Sequence, residues 1–180
     1  RSTTLAGLAA ENMVRGPGWR FYDMGRRIER AVNGCRIARM LATPAASGDN
    51  LNVLLELFDS QISYRTRYLS VPALAPVIDL ILLDPHNPRS LVFQLVTIVD
   101  HLERLPHLLS DGMTEPQLRV AKALLAQVEE IEADAVTQAF LQDVETHLLA
   151  LSDAIARRYF LQFERVEKQV SVGPQLPESI

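Results

Sequence analysis

From Pro17 onward, apolar side chains recur at Phe21, Met24, Ile28, Ala31, Val32, Cys35 and Ala38, in steps of three and four that build one helical face. The pattern predicts a helix over 17–42, opened by Pro17 and closed before Pro44 and the loop TPAASGDN. Asp49 or Asn50 is then the expected cap of a second helix, whose stripe is Leu51, Leu54, Leu55, Phe58 and Ile62. Pro72 and Pro76 interrupt the continuation of that helix in SYRTRYLSVPALAP. VIDLILL, 77–83, fits a buried strand or a short buried helix, and the lack of partner strands favours the helix. Asn87 as cap and Pro88 at the first position start a helix over about 88–107 that is apolar nearly all round, the mark of a central element. TEPQ, 114–117, has the form of a capping box with Thr114 as cap and Gln117 as its reciprocal partner, followed by Leu118, Ala121, Leu125 and Val128 on one side. Leu141, Val144, Leu148, Leu151 and Ile155 form a coiled-coil-like seam in the last helix. These elements predict an all-α, antiparallel bundle of five to six helices over 1–165, followed by an extended or mobile tail over 166–180.

Composition narrows the function classes. The chain of 180 residues suits one domain with a real core, and its 8 glycines fit long helices better than a turn-rich β fold. Its single cysteine, Cys35, excludes an intrachain disulfide and a cysteine zinc site. There is neither a secretory signal nor an apolar run approaching the roughly 20 residues of a membrane span, so a soluble, cytoplasmic protein without membrane association is expected. The net charge of −4 hides an asymmetry: residues 1–40 hold 8 arginines against 3 acids, whereas residues 41–180 hold 10 basic and 19 acidic residues. The basic segment can pair with the acidic remainder of the fold or meet an anion. Overall acidity and the absence of nucleic-acid motifs argue against nucleic acid as a partner.

The charged residues of the first helix carry the most specific pattern. Arg26, Glu29, Arg30 and Asn33 share a face at i, i+3, i+4 and i+7, with Tyr22 just above. In one reading Glu29 holds one guanidinium in place while another stays free to bind a carboxylate or phosphate bidentately. In the other, the charges are internal ties between helices. Tyr64, Arg65, Arg67 and Tyr68 lie at a helix end, with Arg65 and Arg67 directed to different sides. Arg89, at a helix start, suits a cross-link to a neighbouring helix or an anion contact. Candidates for an anion pocket are therefore Arg26, Glu29, Arg30, Tyr64, Arg65 and Arg89.

Catalytic chemistry finds no comparable support. The four histidines do not form the Glu-x-x-His pairs of a two-metal bundle site, and no phosphate loop or nucleophile elbow occurs. Cys35 falls on the apolar side of its helix, where a thiol is inert. Neither metal, cofactor nor catalytic residue is expected, and the residues lean away from an enzyme.

GRRIERA (25–31), SYRTRYL (63–69) and LLDPHNPRSLVFQL (82–95), in this order and spacing, resemble the bacterial alpha-E domain, an all-helical fold with a Glu-Arg motif. By position the motif falls on Glu29 and Arg30, the second block on Tyr64, Arg65, Arg67 and Tyr68, and the third on Asp84, Pro85, Asn87, Pro88, Arg89 and Ser90. The resemblance implies an accessory protein without established activity, encoded beside or fused to a circularly permuted ATP-grasp ligase and a transglutaminase-like peptidase in peptide synthesis or modification. Alpha-E proteins are typically longer, with a similar Gly-Arg-x-x-Glu-Arg motif in an N-terminal half that has no counterpart here. The chain thus reads as the C-terminal part of such a protein, with apolar surface left exposed or used in a homo-oligomer. A purely structural module with internal Glu-Arg ties is the alternative, and an amide-bond-forming or transferring enzyme a third reading.

Overall fold

The computed structural model describes residue 7 and residues 11–106 and 114–160, and within them every regular element is helical. Helix α1 runs Pro17–Leu41, α2 Gly48–Leu57, α3 Gln61–Tyr68 and α4 Leu74–Ile78. A π-type turn over Asp79–Leu83 follows, then α5 Leu91–Glu103, α6 Pro116–Glu129 and α7 Gln138–Tyr159. The all-α expectation holds, with seven helices among the described residues in place of five to six. The tail expected over 166–180 lies outside the described residues, as does His107.

Helix α1 is the organising element and packs against both α7 and α5. Phe21 stacks on Tyr159 while Arg36 reaches Glu145, so α1 and α7 run antiparallel. Asp23 meets His101 and Arg27 meets Gln94, which sets α1 antiparallel to α5. Gln117 binds Tyr159 and Gln127 binds Asp143, giving the same relation between α6 and α7. The seam expected in the last helix is the buried side of α7: Leu141, Val144, Leu148 and Leu151 are 0–2% exposed. Each such side chain contributes roughly 1.5–3 kcal/mol on leaving water. Among the described residues, every buried side-chain nitrogen and oxygen has a hydrogen-bond partner.

Three helix starts differ from the expectation. Ser47, rather than Asp49 or Asn50, caps α2, its Oγ accepting from the Asn50 amide at 3.2 Å. Ser90 caps α5 by accepting from Phe93 N–H. Asn87 instead turns inward, its Nδ2 donating to Ser60 Oγ at 3.0 Å and to the Leu80 carbonyl at 2.8 Å. The box at Thr114 does not form, because α6 opens with Glu115 as cap and Pro116 in its first turn, leaving Gln117 buried against the Tyr159 hydroxyl. VIDLILL is helical, and its end is widened by an i→i+5 bond from Asp84 N–H to the Asp79 carbonyl at 2.8 Å.

The second helix is shorter than its apolar stripe. Leu51, Leu54, Leu55 and Phe58 are buried, yet Ile62 is 82% exposed. Asp59 takes a left-handed φ of 46° and breaks the helix, and α3 restarts in a different orientation that turns Ile62 outward.

Candidate functional site

The carboxylate that organises the basic face of α1 is Asp23, not Glu29. Glu29 is exposed and makes no ion pair among the described residues. Asp23 is 6% exposed and takes Arg27 Nε at 2.6 Å, four residues on, and His101 Nε2–H from α5 at 2.8 Å. His101 Nδ1 faces Arg20 at 3.5 Å, and Arg27 also donates to Gln94 Oε1 at 3.2 Å. Burial alone would raise the Asp23 carboxyl, but the hydrogen bonds from His101 and Arg27, and their charges, outweigh it and hold it at about 2.

That depression fixes a sign. A carboxyl lowered in the folded state stabilises the fold above its unfolded value near 3.8, and this contribution disappears as pH falls toward about 2. Urea midpoints of the unmodified chain are expected to drop more steeply between pH 4 and 2 than those of Asp23→Asn. Parallel profiles for the two proteins would refute the assignment.

Arg26 is turned over the Tyr22 ring, 5.6 Å from its centroid, and touches Asp23 only at 3.8 Å. Arg89 pairs with Asp59 at 2.6 Å, but both side chains are open to solvent, at 44% and 65%, so the pair is worth about 0–1 kcal/mol. Arg30 differs from both. It is partly buried and has no hydrogen bond or ion pair among the described residues. Burial lowers its pKa, reinforced by the charges of Arg89, Arg26 and Arg27 and opposed only by Asp23. Because no buried side-chain nitrogen lacks a partner, the Arg30 guanidinium opens to solvent.

The second block divides. Arg67 joins the polar cluster, donating to Asp84 at 2.8 Å and lying 3.4 Å from Asp79. Arg65 is exposed, has no carboxylate partner among the described residues, and is not among the charges acting on Arg30. Tyr64 is 1% exposed; its hydroxyl donates to the Val71 carbonyl at 3.3 Å and accepts the Ala73 amide at 3.1 Å. The tyrosine therefore braces the loop after α3. Tyr68 donates to Asp79 at 2.9 Å, and burial together with that bond pushes its hydroxyl up to about 12. Of the six candidates, Arg26, Arg30 and Arg89 share one region, Tyr64 and Arg65 stand apart, and Glu29 is a surface residue.

The three sequence blocks nevertheless meet in space. The first reaches the third through Arg27 and Gln94, while the third reaches the α3 region through Asp84–Arg67, Asn87–Ser60 and Arg89–Asp59. Residues 1–160 match the model of the Alpha-E family, described as a predicted alpha-helical domain with a conserved ER motif. The chain belongs to the Alpha-E family. In the Glu-Arg dipeptide of the first block, Glu29–Arg30, the glutamate faces solvent and the arginine has no hydrogen bond or ion pair among the described residues. This Alpha-E chain is 34% identical over 144 residues to uncharacterized proteins of Mycobacterium tuberculosis and Mycobacterium bovis, a match covering 74% of the chain and 16% of each relative. No solved structure matches it. Among the described residues no helix is long and apolar enough to cross a membrane.

Elsewhere the charges of α1 are internal ties. Glu145, 5% exposed, accepts Arg36 Nε at 2.7 Å and Arg39 at 2.9 Å, and these partners, Arg36 foremost, lower its carboxyl. Burial pushes the Cys35 thiol up to about 12, which leaves no thiolate at neutral pH. Asp23, His101 and Gln94 were not among the sequence candidates. The one local signal for them was the i, i+4 spacing of Asp23 and Arg27.

Proposed function

We propose that this domain is a non-catalytic, cytoplasmic accessory module that binds an anionic group of its partner or ligand through Arg30, flanked by Arg26 and Arg89. In that reading it serves a circularly permuted ATP-grasp ligase, together with a transglutaminase-like peptidase, in peptide synthesis or modification, as the alpha-E resemblance implies. The observation that carries the anion site is Arg30: a partly buried guanidinium beside three other arginines, with no carboxylate of its own. A phosphate or carboxylate there would relieve repulsion that the fold leaves unbalanced. Asp59 holds Arg89 only through an exposed pair, which an incoming anion can displace.

Thermal unfolding in inorganic phosphate and in acetate, at matched ionic strength, tests this. Both anions should raise the midpoint of the unmodified chain, and Arg30→Met should weaken binding tenfold or more, about 1.4 kcal/mol. Arg30→Met itself should melt no lower, since it removes an unpaired cation. Equal binding by both proteins, or no anion response beyond ionic strength, would refute the site. Failure of the ATP-grasp protein to co-purify would separately refute the partner.

A further inference from the structure

Helix α3 carries a second surface, independent of the Arg30 site. Ile62 and Arg65, three residues apart, share one side of it, and Leu69 caps its C-terminal end. Ile62 is 82% exposed and Leu69 88% exposed. Leu69 ends the helix in the left-handed region, φ 49° and ψ 27°, its N–H bonded to the Arg65 carbonyl at 3.2 Å. Glycine or asparagine ordinarily takes this position, because a leucine there is strained. The strained side chain gains no burial in this chain. Between its two apolar ends, Arg65 has no carboxylate partner among the described residues. It also edges a cavity of about 110 Å³ lined by Asn52, Gln61, Tyr64 and Ser70 among others.

We propose that this face docks a peptide segment bearing one carboxylate between apolar side chains, with the carboxylate entering the cavity at Arg65 and the apolar groups covering Ile62 and Leu69. The cavity holds the equivalent of roughly three to four waters, enough for a carboxylate and far below the roughly 300 Å³ of a small-molecule site. One free guanidinium matches one carboxylate, since Arg67 is committed to Asp84 and Asp79.

The experiment titrates the isotopically labelled chain with acetyl-Ser-Leu-Val-Glu-Val-Leu-Ser-amide and follows backbone amide shifts. Shifts are expected over residues 61–72 and at Asn52 and Leu55, which line the cavity from α2. Affinity should fall at least tenfold for the same peptide with glutamine in place of glutamate, and for Arg65→Gln. Leu69→Gly separates docking from structure: it should raise the melting midpoint by about 2–4 °C while weakening the peptide severalfold. Arg30→Met should leave peptide binding unchanged. Equal affinity for both peptides, no shifts, or undiminished binding by Leu69→Gly would overturn the proposal. A dimer in solution that Ile62→Ser dissolves would also overturn it, assigning the face to a second copy.

Discussion

Asp23→Ala is expected to destabilise the fold by about 3–5 kcal/mol, the cost of removing one member of a buried charged network. The mutation leaves Arg27 and His101 facing each other with side chains only 19% and 9% exposed, so water cannot replace the lost carboxylate. Gln94 can still accept one bond from Arg27, but the imidazole Nε2–H loses the acceptor it holds at 2.8 Å. Asp23→Asn should cost less, because the amide oxygen still accepts one hydrogen bond. Replacing both partners, Asp23→Leu with Arg27→Met, should recover a large part of the loss, since the desolvated charges disappear together. Urea unfolding with an unchanged m-value measures all three. A loss below about 1 kcal/mol for Asp23→Ala would mean that the network behaves like a surface ion pair.

This carboxylate shows where sequence reasoning reached and where it stopped. The three-and-four spacing of Met24, Ile28, Ala31, Val32, Cys35 and Ala38 reported the buried face of α1 correctly, because helical geometry alone fixes which side chains share a side. Helical spacing suits Glu29, three residues after Arg26, and equally Asp23, four residues before Arg27, and the sequence reading singled out only Glu29. Only the arrival of α5 decides between them: His101 and Gln94 come down on the Asp23 side and desolvate it, while Glu29 points to water. The helix starts failed for a related reason. Asn87 and Ser90 are both good caps, and Asn87 is withdrawn from that role by the Leu80 carbonyl and by Ser60, the latter 27 residues away in the chain. The outward turn of Ile62 hangs on one residue, Asp59, adopting a positive φ that its short polar side chain tolerates. Arg30 was legible as a candidate, but its lack of a partner is a property of the packed molecule.

Tyr64 gives the second large effect and separates architecture from ligand contact within the second sequence block. Tyr64→Ala should cost about 3–5 kcal/mol, the range for emptying a fully buried aromatic site. The ring packs on Tyr68, centroids 4.8 Å apart, and its hydroxyl ties Val71 and Ala73 of the loop back to α3. Tyr64→Phe isolates the second contribution: it keeps the ring but removes the acceptor of the Ala73 amide, at about 0.5–1.5 kcal/mol because Ala73 is open to water. The loop also shapes the cavity beside Arg65, so Tyr64→Phe should weaken the acidic peptide while leaving phosphate at Arg30 untouched. Denaturant midpoints give the stability terms, and amide exchange at Ala73 reports whether the loop has come free. If Tyr64→Phe were neutral and Ala73 stayed protected, the hydroxyl would not be what holds the loop.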